Sequence, residues 1–239
     1  MDHRITVLPR VIDAPDGKPI RPEALDNQRL MAEILRDPST WTPDLAAITT
    51  EVFDALSTNW VDERGGYRTA PLIDALERGS PPAHGRCLEI GSGTGVLTPH
   101  LAAVWRDLTC LDLSLGMMSH QQYTSQVQAD ASSLPFTDAA FSVIAIGDGP
   151  LFAAETVRVL RPDGALLWSN ALGAGAPYYQ PTDDILDALT EVAPDSSWSA
   201  VQSEALWGSW AVVRRAADQP HLADLGIPAA AGGGLSDPA

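Results

Sequence analysis

An apolar run that ends in closely spaced glycines constrains this chain more than any other segment: Cys87-Leu88-Glu89-Ile90-Gly91-Ser92-Gly93-Thr94-Gly95. A strand that stops at such a loop, opens a helix and is answered one strand later by an acidic residue is how a doubly wound sheet holds a nucleoside cofactor. Here the answering pair is Leu111-Asp112. The first glycine must turn the chain sharply out of the strand, the second lets the backbone approach a ligand, and the third lets the helix pack close to the sheet. The spacing is G-x-G-x-G, not the G-x-G-x-x-G that lays a pyrophosphate on a helix N-terminus. A ligand without phosphates fits it better.

The segment Leu88 to Gly95 resembles motif I of class I S-adenosylmethionine-dependent methyltransferases, and three further segments follow in that family's order. Leu111-Asp112-Leu113-Ser114, with Met117-Met118 behind it, resembles the end of the second strand, where the family's acidic residue binds the ribose. Gln128-Ala129-Asp130-Ala131-Ser132-Ser133-Leu134-Pro135-Phe136 is similar to the segment after the third strand, whose Asp faces the adenine amino group. Arg158-Val159-Leu160-Arg161-Pro162-Asp163-Gly164 resembles the turn before the fifth strand. Together they cover roughly residues 86 to 170. The resemblance implies S-adenosyl-L-methionine as cofactor. Glu89, Gly91, Ser92, Gly93 and Gly95 would hold the methionyl part and ribose, Asp112 with Leu113 and Met117 the ribose side, and Asp130 with Ala131 the adenine.

Alternating strand and helix patterns from Arg86 onward imply a parallel sheet with helices on both faces. Strands are expected at 86–91, 108–113, 125–129, 141–147 and 164–170, with helices at 94–104, 115–122, 151–159 and 182–192. Two runs rich in Trp and Val, 197–205 and 208–214, would supply antiparallel closing strands. The expected fold is therefore α/β, a doubly wound Rossmann-like sheet of seven strands, mostly parallel, plus N-terminal helices. Before it, apolar residues between about 26 and 78 recur at three- and four-residue steps and predict three helices with stripes facing the sheet. Residues 1–25 hold Pro9, Pro15, Pro19 and Pro22 and read as an arm or loose edge. The organisation is thus an arm (1–25), a helical cap (26–80), a cofactor-binding core (81–215) and a tail (216–239) whose Ala/Gly run predicts disorder.

Methyl transfer from a sulfonium is an in-line displacement, so catalysis can come mainly from holding donor and acceptor collinear, and a base is needed only if the acceptor must first lose a proton. Gly147 and Asp148 lie at the C-terminal end of the expected fourth strand, the edge where open α/β sheets bind ligands. Asp148 is a candidate base or methionyl contact, and equally a helix cap. Tyr67 and Arg68 close a segment from Asn59 that suits a fold over the cofactor, where either could meet its carboxylate; the alternative is a loop with solvated charges. Tyr178 and Tyr179 are candidates for the acceptor wall or for cation–π contact with the sulfonium.

The chain has 31 acidic and 15 basic residues and a formal net charge of -16, a field that repels polyphosphate backbones and argues against a nucleic-acid acceptor. A small-molecule acceptor is expected instead, with a monomer or homodimer. The opening residues carry no long apolar region and no apolar run reaches membrane-spanning length, so a cytoplasmic protein without a membrane partner is expected. Cys87 and Cys110 fall in neighbouring strands as small buried hydrophobes, and with no CxxC or HxxxH spacing no metal site is expected. Two other readings stay open: a protein that binds S-adenosylmethionine without methylating, and a nicotinamide-dependent oxidoreductase. The second leaves the Asp130-Ala131 segment unexplained.

Overall fold

Successive side chains of a strand point to opposite faces of its sheet, and here both faces are apolar and covered. The computed structural model describes residues 4–19, 23–60, 66–123 and 125–217. Its strands are β1 (Arg4–Val7), β2 (Cys87–Ile90), β3 (Leu108–Asp112), β4 (Gln126–Gln128), β5 (Phe141–Gly147), β6 (Leu160–Asn170), β7 (Ser196–Ala205) and β8 (Gly208–Ala217). The helices are α1 (Ala24–Arg36), α2 (Pro43–Leu56), α3 (Ala70–Arg78), α4 (Thr98–Val104), α5 (Leu115–Met118), α6 (Ala153–Val159) and α7 (Thr182–Val192). On one face, Leu88, Ile144, Leu166 and Val213 pack with Val157 of α6 and Ile185 and Leu189 of α7. On the other, Cys87, Val143, Leu167 and Val212 pack with Leu72 of α3 and Leu101 of α4.

The sheet runs in the order β1-β7-β8-β6-β5-β2-β3-β4. Only β8 is antiparallel to its neighbours, β6 and β7. From β2 the chain moves outward through β3 to β4 and then returns to the other flank at β5, so the order reverses between β2 and β5. That reversal leaves a crevice beyond the carboxyl ends of β2 and β5, into which the glycine loop is delivered.

The alternating pattern anticipated the doubly wound sheet, but the sheet has eight strands where seven were expected. The additional strand is β1, in the segment read as an arm. It lies parallel to β7, with Arg4 opposite Ser199 and Val7 opposite Gln202. Its neighbouring prolines forbid a helix without forbidding an edge strand, and Ile5-Thr6-Val7 suits a pleated surface. Beyond β1 the segment stays attached. Leu206 N–H donates to Ile12 O (3.0 Å), Arg78 to Pro9 O (3.0 Å), and the Trp207 indole to Pro15 O (2.7 Å).

The three N-terminal helices form as the periodicity predicts. α4 begins at Thr98, later than the expected 94, because residues 91–97 form the loop out of β2. α5 ends at Met118, short of the expected 122. The tail from 218 onward and residues 61–65 lie outside the described residues. Cys87 and Cys110 are both free and buried.

Candidate functional site

Three carboxylates reach the carboxyl edge of the sheet because each ends or follows a strand there: Glu89 in β2, Asp112 closing β3, and Asp130 after β4. They line one cavity of about 440 Å³, walled by the glycine loop, α1, α2, the end of β5 and the segment after β6. Tyr67, Arg68, Gly91, Ser92, Gly93, Leu113, Met117, Ala131, Gly147, Asp148 and Tyr178 also line it.

The loop geometry explains the glycines. Gly91 has φ +70° and Gly93 φ +54°, conformations that side chains strain to adopt. A Cβ on Gly91 would meet nothing within 4 Å, so that position faces open cavity. Gly95, φ +83°, instead serves packing, since a Cβ there would come within 2.7 Å of Gln121 Cγ, and the residue does not line the cavity. Gly91→Ala should add strain and intrude on the ligand space, raising the dissociation constant for S-adenosylhomocysteine roughly tenfold while the protein stays folded. Unchanged affinity by calorimetry would show that the open side of the loop is not where the cofactor sits.

Asp112 fixes this loop. Its Oδ2 accepts from Gly93 N–H at 2.7 Å and its Oδ1 from Ser114 N–H at 2.8 Å. Burial nevertheless raises its pKa above the usual carboxylate value, against the pull of these amides. Glu89 is 3% exposed and accepts from Thr98 Oγ1 at 2.7 Å. Burial pushes its pKa up to about 7, with the nearby Asp112 charge adding to the effect. Ser92 Oγ is buried, lines the cavity and has no hydrogen-bond partner, the condition of a group whose partner is a ligand.

Asp148, φ +49°, is held from three sides. Its Oδ1 accepts from Ala171 N–H (3.1 Å) and Asn170 Nδ2 (3.3 Å), and its Oδ2 pairs with Arg68 (3.2 Å). Arg68 in turn lies over the Trp60 ring, 5.2 Å from its centroid. The two tyrosines diverge at a turn in which Tyr179 N–H donates to Ala176 O (3.2 Å). Tyr178 packs against the cluster of Met31, Ile34 and Phe152 beside the cavity. Tyr179 instead enters a second recess of about 290 Å³ with Arg10, Gln180 and Glu204. Burial, with Glu204 and Asp184 nearby, pushes its phenol pKa up.

Several lining residues carried no motif. Trp41 donates its indole N–H to Asp130 Oδ2 at 2.8 Å and meets Phe152 edge-on at 5.7 Å. Leu45, Ile48, Val52, Phe53 and Leu56 of α2 form the wall opposite the strand ends. Their spacing was legible as one helical face, but periodicity does not distinguish a face turned to a core from one turned to a cavity. Among the described residues no cluster of His, Cys, Asp and Glu could hold a metal, and no helix is long and apolar enough to cross a membrane.

A crevice at the sheet's switch point, glycines open to it and carboxylates at successive strand ends define an α/β nucleoside-cofactor domain. Residues 88–168 match the family model of the methyltransferase domain. Those residues thus form a methyltransferase domain, with S-adenosylmethionine as its cofactor. It is 36% identical over 102 residues to a biotin biosynthesis bifunctional protein BioHC of Cellvibrio japonicus, covering 38% of this chain and 20% of that one. It is 35% identical over 91 residues to a demethylmenaquinone methyltransferase of Mycobacterium sp. strain KMS, covering 34% and 40%. The alignments thus span 20% and 40% of those two relatives' own lengths. Among solved structures, the fold is similar to that of the DhpI–SAH complex, with TM-score 0.58, 18% identity, and coverage of 72% of this chain and 97% of that one. It is also similar to a Thermotoga maritima methyltransferase described as a possible histamine N-methyltransferase, with TM-score 0.54, 17% identity, and coverage of 70% and 99%.

Proposed function

We propose that this protein transfers the methyl group of S-adenosylmethionine to a small-molecule acceptor, acting mainly through proximity and orientation. One observation carries the reading: Glu89, Asp112 and Asp130 stand around a glycine loop that opens to the cavity and holds an unpartnered Ser92 hydroxyl. When bound, the cofactor supplies a methyl group activated on a sulfonium sulfur, which passes to an acceptor lone pair and leaves a neutral thioether. Asp112 keeps lone pairs for two ribose hydroxyls after accepting its amides. Asp130 and Ala131 would hold the adenine, with Trp41 orienting the Asp130 carboxylate. Glu89, ionised, would accept from the methionyl ammonium. Arg68, braced by Trp60 and Asp148, is available to the carboxylate, with Tyr67 beside it.

Both Asp148 oxygens are already engaged, which favours orientation over base catalysis. Asp148→Asn should therefore lower kcat less than tenfold and leave the pH profile unaltered; a drop of roughly 10² with loss of the acid limb would make Asp148 the base. The curated relatives support a small acceptor, since the mycobacterial protein is named for a quinone precursor. Asp112→Ala should weaken S-adenosylmethionine binding roughly 30-fold, about 2 kcal/mol, in a protein that still melts cooperatively. Mass spectrometry of copurifying material, then acceptor screening for a gain of one methylene, tests the activity itself. A folded protein that binds no S-adenosylmethionine would sink the reading.

A further inference from the structure

We infer that the acceptor of this site is uncharged or cationic and predominantly apolar, lying along α2 with its reacting atom toward the strand ends. The inference rests on the methyl-transfer reading above and names its substrate class. On the N-terminal side of the cavity the lining from α1 and α2 is mostly apolar, with Asn27 and Thr49 as its polar members and Glu23 at the start of α1. The carboxylates of Glu89, Asp112 and Asp130 occupy the strand-end side, which the cofactor needs, while Leu45, Ile48, Val52 and Leu56 present one apolar face from α2.

That face is unusual for a helix of such composition. None of the residues of α2 is buried, and Ile48 and Val52 are 58% and 50% exposed. Most apolar helices in a globular protein bury such a stripe, because removing apolar surface from water is favourable. α2 is held in place by polar contacts on another side: Asp54 Oδ1 accepts from Gly116 N–H (2.8 Å) and from Ser114 Oγ. From Leu45 to Leu56 the stripe runs about 17 Å along the helix, long enough for a ring system or an extended chain.

Charge decides the remaining question. Among the described lining residues five are carboxylates, Glu23, Glu89, Asp112, Asp130 and Asp148, and one is a cation, Arg68. Arg68 already pairs with Asp148, and the proposed cofactor carboxylate takes what remains. An anionic acceptor would enter a field of its own sign with no described lining cation left to meet it. An uncharged or cationic one meets no such barrier.

The test uses the full chain loaded with S-adenosylhomocysteine and an uncharged apolar fluorophore, N-phenyl-1-naphthylamine, as probe. Saturable fluorescence enhancement is expected, at least tenfold tighter than that of the anionic 1-anilinonaphthalene-8-sulfonate. The double substitution Ile48→Asp/Val52→Asp should weaken probe binding at least tenfold and leave S-adenosylhomocysteine affinity within threefold. Ala47→Asp, on an exposed position of α2 that does not line the cavity, should change neither. Should the double variant fail to fold, Val52→Asp alone carries the comparison. Absent probe binding, equal affinity for the anion, or indifference to these substitutions overturns the inference while the cofactor still binds. If the wild-type chain does not take S-adenosylhomocysteine, the methyl-transfer reading fails, and this one with it.

Discussion

Glu89→Gln is expected to stabilise the cofactor-free protein by about 3 kcal/mol more at pH 8 than at pH 4.5. In the folded chain burial holds the Glu89 pKa near 7, while the unfolded side chain titrates near 4.5. Between those values the folded state keeps a proton that the unfolded state has lost. Its stability therefore falls as pH rises through this window and levels off above it. Gln cannot ionise, yet its carbonyl can still accept from Thr98 Oγ1. Denaturant titrations of both proteins across the window read the difference directly. Parallel curves would mean that Glu89 titrates normally. The same residue should give the wild type a cofactor affinity that rises toward neutral pH, because a ligand ammonium needs the carboxylate, and the variant should lose that dependence.

The largest loss of stability is expected from Asp74→Ala, roughly 3–5 kcal/mol. Asp74 is 1% exposed and accepts from Arg78 Nε at 2.7 Å and from the Trp210 indole at 2.6 Å. Burial alone would raise its pKa, but these hydrogen bonds outweigh it and hold the carboxyl below its usual value. Removing the carboxylate leaves the buried Trp210 indole N–H without its acceptor and takes the counter-ion from Arg78, which keeps its bonds to Pro9 O and Ser203 Oγ. Chemical denaturation should show the drop, whereas S-adenosylhomocysteine affinity, measured where the variant is folded, should be unchanged. A loss under 1 kcal/mol would mean that water replaces the carboxylate at little cost.

How far the sequence disclosed this molecule depended on the distance over which each feature is encoded. Gly91, Gly93, Asp112 and Asp130 sit at strand ends, where local chain reversal and ligand contact are set within a few residues, and they were readable as motifs. Trp41 was not, because its role depends on an indole meeting Asp130, 89 positions away. α2 was readable as a helix and misleading as a core element, since a stripe turned to a cavity has the period of a stripe turned to a sheet. Tyr178 and Tyr179 show the same gap at single-residue scale: identical side chains, adjacent in sequence, enter separate recesses. In β1, the β-branched run was present but outweighed in reading by the prolines around it. Its partner strand lies at the other end of the described chain.

That last pairing has a consequence for biosynthesis. Arg4 is translated early and Ser199 late, yet the two are register partners in the finished sheet. Since β7 is bonded to β8, and β8 to β6, the edge that receives β1 is complete only after nearly the whole described chain has been made. Closing a loop of that length is slow compared with forming neighbouring contacts. A growing chain must therefore carry Ile5-Thr6-Val7 without its sheet partner until β6, β7 and β8 have been made, so the first of the described strands is seated late.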